Sequence, residues 1–272
     1  MPALIPVSAR PRRLPRALWL ALAALSLGAA LWAHGPIGQW PGYHAFADDR
    51  AWLGLPNAAN VLSNLPFLLV GAWALRRLRR AAAASPSASA WRAFALALVL
   101  TAIGSSVYHW APSNAALVGD RLPIAWACAA LVCAFLGERV GTHWSGLRTI
   151  VPALAIATLA VAFWWLTEQA GAGDLRLYLF VQFLPMLLVP LGLALGLAAT
   201  TPAAAPARAW WTVLACYAAA KLLELADQGV LAWLGGLSGH TLKHLVAAAG
   251  AAWLLRAVVR AQTPGVSSGS RR

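Results

Sequence analysis

The sequence predicts an all-α protein that crosses a membrane several times. Its 272 residues are 61% hydrophobic and only 11% charged, with a mean hydropathy of +0.67, whereas about a quarter of the residues in an ordinary soluble domain are charged. Long apolar stretches alternate with short basic clusters, which is the pattern of membrane topology signals. These observations exclude a soluble globular protein. The net charge of +13 is spread over those clusters, so no nucleic-acid partner is expected.

Eight apolar windows are long enough to form spanning helices, since about 20 apolar residues cross the hydrocarbon core of a bilayer. In chain order they cover residues 17–33, 58–75, 93–109, 122–137, 149–166, 178–199, 209–226 and 239–259. The first window follows a basic segment, as a secretory signal peptide does, and cleavage is the alternative for it. We predict an uncleaved anchor, because Trp32 stands where a cleavage site prefers a small residue. The last two windows are the least apolar, since several ionisable residues interrupt them.

The windows divide the chain into four parts. A basic cytoplasmic tail is expected over residues 1–16 and an additional transmembrane helix over residues 17–33. A seven-helix membrane domain is expected over residues 48–261, and a disordered tail rich in Ser, Gly and Arg over residues 262–272.

The basic residues also predict the orientation. With the N-terminus inside, sixteen of the 21 Lys and Arg residues fall on the inner side. The outer loops keep only Arg50, Arg121 and Arg176. This asymmetry follows the positive-inside rule and predicts that both termini are cytoplasmic. The Ala- and Arg-rich composition further suggests a bacterial source, and therefore an inner membrane.

Polar residues that can bind a metal or transfer a proton collect at one predicted membrane surface. They are Ser105 and His109 at the end of the third window, Asp120 before the fourth, Asp227 after the seventh, and His240 and His244 at the start of the eighth. Each Ser-His or His-His pair is four residues apart and therefore shares one helix face. Ionisable groups at membrane depth are costly and usually functional.

This convergence predicts a zinc site. Catalytic zinc takes three protein ligands and keeps a fourth position for water, and His109, His240 and His244 would be the ligands. The zinc-bound water would be the nucleophile, since the metal lowers its pKa. Asp120 suits general acid and base work, and Ser105 could bind the developing oxyanion. The alternative is that the histidines are structural residues satisfied by hydrogen bonds.

Five further polar residues are candidates for supporting the metal ligands: Asn60, Ser63, Lys221, Glu224 and Asp227. Lys221 and Glu224 are one turn apart, so a purely structural ion pair is the alternative for them. Asn60 and Ser63 lie on a polar stripe of the second window, for which hydrogen bonding between helices is the alternative.

At these residues the chain resembles the alkaline ceramidases, a family of the CREST superfamily of seven-helix membrane hydrolases. Four pieces match in order: Asn60-Val61-Leu62-Ser63-Asn64, Gly104-Ser105-Ser106-Val107-Tyr108-His109, Asp120-Arg121-Leu122-Pro123-Ile124-Ala125-Trp126 and His240-Thr241-Leu242-Lys243-His244. The resemblance covers roughly residues 48–259 and leaves the first window as an addition.

The resemblance implies a zinc-dependent amidase that draws its lipid substrate from the bilayer. Zinc would sit on His109, His240 and His244, with Ser105 and Asp120 completing a site that hydrolyses ceramide to a sphingoid base and a fatty acid. The family also carries an acidic calcium loop and a glutamate three residues before the Asn60 position. Here that position is Asn57, which speaks against a calcium ion at Asp48 and Asp49, and a bacterial source makes another N-acyl lipid an alternative to ceramide.

Other functions remain open at this point. An ester-directed lipid hydrolase of the same superfamily would use the same residues. A receptor-like or lipid-sensing membrane protein would hold its zinc for structural purposes only. A transporter could use Lys221, Glu224 and Asp227 as a proton relay.

Overall fold

The structure, a computed structural model, describes residues 15–81 and 87–262. In these ranges the chain forms ten α-helices and no strand. They are α1 (Arg16–His34), α2 (Ala58–Leu62), α3 (Leu65–Ala81), α4 (Ala88–Trp110), α5 (Asn114–Arg139), α6 (Leu147–Gln169), α7 (Arg176–Ala194), α8 (Ala207–Leu225), α9 (Asp227–Leu234) and α10 (Gly239–Gln262). Two short 3₁₀ helices, Pro41–His44 and Thr142–Ser145, lie in the loops. The predicted all-α fold is confirmed.

Seven segments within the described ranges are long and apolar enough to cross a membrane: α1, α2 together with α3, α4, α5, α6, α7 and α10. The eighth predicted window, residues 209–226, folds as α8. Its composition keeps it out of this set, because Arg208, Lys221 and Glu224 interrupt its 19 residues. The chain is therefore a polytopic membrane helix bundle.

The bundle is built around α4, α5 and α10. Helix α4 packs against α3 and α5, α5 also packs against α6 and α7, and α10 packs against α8 and α3. Helix α1 rests mainly on α7 and buries only Leu20, as an additional peripheral helix would. Large apolar side chains such as Val151, Ile156 and Leu159 of α6 face outward, which suits a lipid-facing surface.

The predicted tails lie largely outside the described residues. Residues 1–14 and 263–272 belong to this part of the chain, so nothing tests the expectation of a basic or a disordered tail there. Gln262, which was assigned to the C-terminal tail, is instead the buried last residue of α10.

The second predicted window is broken into α2 and α3. The Ser63 hydroxyl and the Asn64 amide both donate to the backbone oxygen of Asn60, at 2.9 Å each. Pro66 follows and has no N–H with which to continue the helical ladder. Side chains that compete for helix carbonyls therefore end α2 here, and they turn Asn60 and Ser63 toward α10.

Two glycines let α4 and α5 touch near the ends that carry Ser105 and Asp120. A Cβ atom built on Gly104 would lie only 1.9 Å from the carbonyl oxygen of Gly119, a separation that no side chain tolerates. A Cβ atom built on Gly119 meets nothing within 4 Å. The close contact between the two backbones therefore requires glycine at position 104 but not at position 119.

Gly104→Ala is expected to lower the free energy of unfolding by about 1–3 kcal/mol or more. The added methyl group must push the α5 backbone away from α4. Thermal unfolding of the purified protein in detergent would measure this loss. Gly119→Ala is the matched control from the same contact, and we expect it to unfold near the wild-type temperature. Equal unfolding temperatures for the two variants would contradict the assigned contact.

Candidate metal centre

Three buried histidines meet at one end of the bundle. His109 lies in the last turn of α4, and His240 and His244 lie one turn apart at the start of α10. One ring nitrogen from each lies within 4.8 Å of the other two, and His109 Nε2 is 3.2 Å from His240 Nε2. Two nitrogen ligands of a tetrahedral zinc ion are about 3.3 Å apart. The structure thus brings the three predicted ligands together in a cluster that can hold a metal ion.

Ser63 fixes the ring orientation of His244. The hydroxyl of Ser63 donates its only proton to the backbone oxygen of Asn60, so it must accept from Nδ1 of His244, 2.8 Å away. With its proton on Nδ1, His244 presents an unprotonated Nε2. Hydrogen bonds of this kind orient metal-binding histidines and raise their basicity. The predicted supporting role of Ser63 is therefore consistent with its position.

Ser63→Ala is expected to weaken zinc binding about 10- to 100-fold, because His244 loses the acceptor that sets its tautomer. Competition with a chelator of known affinity would measure the zinc dissociation constant. Ser106→Ala is a suitable control, since the Ser106 hydroxyl donates to the Val61 carbonyl and makes no hydrogen bond to the three histidines among the described residues. Unchanged zinc affinity in Ser63→Ala would refute the assignment.

Asp227 positions the start of α10 and is not placed as a metal ligand. Its Oδ1 accepts the backbone N–H of His240 at 2.7 Å, and its Oδ2 accepts that of Ala47 at 3.0 Å. The start of α10 also packs closely against α8, since a Cβ atom on Gly239 would lie 2.1 Å from the Leu223 carbonyl oxygen. Asp227 therefore ties the first histidine of α10 to the loop that precedes α2.

Residues 46–50 of that loop cover the cluster, and we call them the cover segment. The Phe46 ring packs against His109 and His240, with ring centroids 4.6 and 4.9 Å away. Arg50 donates to both carboxylate oxygens of Asp48 and to the Gly236 carbonyl, which fastens the segment to the loop before α10. An apolar ring over the histidines keeps water from one side of the cluster.

Asp48 and Asp49 are the two residues at which the sequence made a calcium ion doubtful. Hydrogen bonds from Arg50 hold the pKa of Asp48 below its ordinary value, and they engage both oxygens of this carboxylate. Asp49 is exposed. A guanidinium already neutralises Asp48, so this arrangement does not fit a calcium ion.

Asn60 connects the cover segment to α10. Its amide nitrogen donates to the backbone oxygen of Asp48 at 3.1 Å, and its amide oxygen accepts from the Thr241 hydroxyl at 2.8 Å. The side chain is completely buried. Both features agree with hydrogen bonding between structural elements, the alternative considered for this polar stripe.

A cavity of about 460 Å³ opens beside the cluster, and its lining includes Ser105, Asp120 and His244. Most of its remaining wall is apolar, with side chains such as Phe94 and Leu98. Ser105 and Asp120 follow the two glycines at which α4 and α5 touch, and both line this cavity. Asp120 is 8% exposed, and its Oδ1 has no hydrogen-bond partner among the described residues. This oxygen is therefore a buried acceptor without a partner in the described part of the chain.

Lys221 and Glu224 form an ion pair, as the sequence suggested. In the structure Lys243 also pairs with Glu224. Lys221 and Lys243 bind opposite oxygens of Glu224, with 2.5 Å from Lys243 Nζ to Oε1. All three side chains line the cavity. Their hydrogen bonds in the described part of the chain go to one another and not to the metal-site histidines.

Sequence reasoning missed Phe46, Lys243 and His44. Lys243 could have been found, because it lies between two predicted ligands inside an apolar window. His44 lies in the loop before α2, where its ring nitrogens bond Tyr108 and Asn114, each at 2.9 Å. No pattern in the sequence predicts that Phe46 packs against the histidines.

No protein-family model matches this chain, and no curated protein matches it either. Its function is therefore inferred from the geometry of the cluster and the cavity.

Proposed function

We propose that this protein is a zinc-dependent intramembrane hydrolase. Its substrate is ceramide or a ceramide-like N-acyl lipid, and its products are a fatty acid and an amine-bearing lipid. The observation that carries the proposal is a buried three-histidine cluster beside a largely apolar cavity. Ser105 and Asp120 line this cavity together with His244 of the cluster. A pocket of this kind suits a lipid chain with one reactive polar group.

The donor set fits zinc. Three neutral imidazoles leave one position of a tetrahedral ion free, which distinguishes catalytic zinc from closed structural sites. His109 Nδ1 is buried without a hydrogen-bond partner among the described residues, and the facing nitrogens of His109 and His240 need a cation or a shared proton between them. When bound, zinc would supply a Lewis acid that polarises the substrate carbonyl.

The residues of this chain divide the remaining work. Asp120 accepts a proton from the attacking water through its free Oδ1, and later returns it to the amine nitrogen as the C–N bond breaks. The water oxygen becomes part of the released carboxylic acid, so the atoms balance. The Ser105 hydroxyl donates to the oxygen on which negative charge develops. Phe46 limits access of bulk water, which strengthens both interactions.

The bundle suggests where the reaction takes place. The cluster lies at the end of the bundle opposite the arginine-rich termini of α3 and α10. By the positive-inside rule these termini are cytoplasmic, so the site would face the outer side of a bacterial inner membrane.

Product analysis by mass spectrometry tests the proposal. Zinc-loaded protein would be incubated with ceramides, N-acyl amino lipids and lysophospholipid esters, with His244→Ala as the paired control. Fatty acid released from an N-acyl lipid only by the unmutated protein is the expected result. Release from esters alone would replace the amidase by an esterase. An intact, zinc-loaded protein that hydrolyses no lipid would refute the hydrolase and favour a receptor-like protein with structural zinc.

A further inference from the structure

One buried cation of the cavity forms no ion pair with any described residue. Arg121 follows Asp120 on α5, is 3% exposed and lines the cavity. Its Nη2 donates to the side chain of Gln39, while Nε and Nη1 have no hydrogen-bond partner among the described residues. No carboxylate of the described ranges lies within ion-pair distance of it.

Aromatic rings surround this guanidinium. Its central carbon lies 4.0 Å from the ring centroid of Trp164, 5.1 Å from that of Tyr178 and 5.3 Å from that of Tyr43. Cation–π contacts stabilise the charge and hold the planar group in one orientation. They do not satisfy its N–H donors, so a ligand with acceptor atoms would still gain hydrogen bonds here.

Arg176 shows the ordinary arrangement in the same protein. It also stacks on an indole, that of Trp32 at 4.6 Å, but its Nε and Nη2 bind the carboxylate of Asp174. Leaving a buried charge without such a partner is expensive, especially at membrane depth. The carboxylate of Asp174 compensates the charge of Arg176, whereas no described carboxylate pairs with Arg121.

The cavity as a whole carries excess positive charge. Its described cationic side chains are Arg121, Lys221 and Lys243, against two carboxylates, Asp120 and Glu224. The two lysines share the single carboxylate of Glu224. Because apolar walls screen charges poorly, this excess attracts an anion into the cavity.

We infer that Arg121, together with Gln39 and Tyr43, forms an anion subsite that selects acyl lipids with a negatively charged polar head. The recognised group is a carboxylate or a phosphate close to the scissile bond. Tyr43 suits this role because its ring lies beside the Arg121 guanidinium and lines the same cavity, and a phenol O–H can donate a hydrogen bond. The inference rests on the proposed hydrolase for the identity of the ligand as a substrate.

The test compares charged and neutral lipids with matched acyl chains. Zinc-loaded wild type, Arg121→Gln, Arg121→Lys and Arg176→Gln would be reconstituted in phosphatidylcholine nanodiscs. Hydrolysis of an N-acyl glycine, a phosphorylated ceramide and an unmodified ceramide gives a ratio of kcat/KM values, charged over neutral. We expect wild type to prefer a charged lipid, and Arg121→Gln to lower the ratio about 10- to 100-fold, as loss of a charge-assisted hydrogen bond does.

The two other variants separate charge from folding. Arg121→Lys keeps the charge but loses the planar stacked group, so we expect an intermediate ratio. Arg176→Gln removes a stacked guanidinium outside the cavity and should leave the ratio as in wild type. The preferred charged lipid tells a carboxylate from a phosphate. A wild-type preference for the neutral ceramide, or a ratio unaffected by Arg121→Gln, would overturn the subsite.

A binding measurement separates this inference from the hydrolase. Dodecyl phosphate, which cannot be hydrolysed as an amide, should raise the unfolding temperature of wild type more than dodecanol does. Arg121→Gln should remove that difference. If no lipid is hydrolysed, the proposed hydrolase fails while a shift that depends on Arg121 still supports the subsite. A phosphate shift that is absent, or equal in both proteins, would overturn it.

Discussion

His240→Ala is expected to abolish both zinc binding and lipid hydrolysis. The variant leaves His109 and His244 as the only imidazole ligands of the cluster. Loss of a hydrogen bond to a ligand alone costs about 10- to 100-fold in affinity, so loss of a ligand should cost more than about 100-fold. Metal content after dialysis, together with fatty acid release from the best N-acyl lipid, measures both effects.

His143→Ala is the matched control for this variant. His143 is exposed in the loop between α5 and α6, so its removal should change neither zinc content nor turnover. Zinc retained in full by His240→Ala would count directly against the ligand assignment. Thermal unfolding of both variants without metal would show whether the loss reflects the site or the fold.

Asp120→Asn should remove the activity and leave the metal in place. Asparagine keeps the size of the side chain but cannot accept and return a proton, and general acid–base groups contribute about 10²- to 10⁴-fold to a rate. Zinc binding should persist, because Asp120 is not one of the clustered residues. The two readouts are kcat for the N-acyl lipid and bound zinc per protein.

Asp49→Asn makes the same substitution at an exposed position and should behave as wild type. The contrast between Asp120→Asn and His240→Ala carries the mechanistic information. A structural zinc would bind normally in Asp120→Asn with no change in any activity. Activity equal to wild type in that variant would therefore remove Asp120 from the chemistry.

The parts of the site that follow from helix periodicity could be predicted from the sequence. His240 and His244 share a face because they are four residues apart, and the alternation of apolar windows places α4 and α10 so that His109 meets them. Window boundaries were less accurate. Helix α5 begins at Asn114 rather than near residue 122, because Ser113 caps it by accepting the Ala116 N–H, and hydropathy does not register a cap.

Contacts between distant backbone segments could not be predicted. Hydropathy treats residues 58–75 as one helix, since it does not register the hydrogen bonds of Ser63 and Asn64 that end α2. Phe46 reaches the histidines because other parts of the chain hold the cover segment, among them Asp227 at Ala47 and Asn60 at Asp48. The charge of Arg121 was read as an orientation signal, whereas its burial appears only once α6 and α7 surround it.

The distance along the chain between the histidines has a consequence for biogenesis. His109 and His240 are 131 residues apart, and membrane helices enter the bilayer in the order of their synthesis. The cluster does not exist in the nascent chain until α10 has docked against the helices made before it. Metal binding by all three histidines would therefore be a late event of maturation. Once captured, the ion would join α4 to α10 and close a loop of more than a hundred residues, which resists unfolding much as a covalent cross-link does.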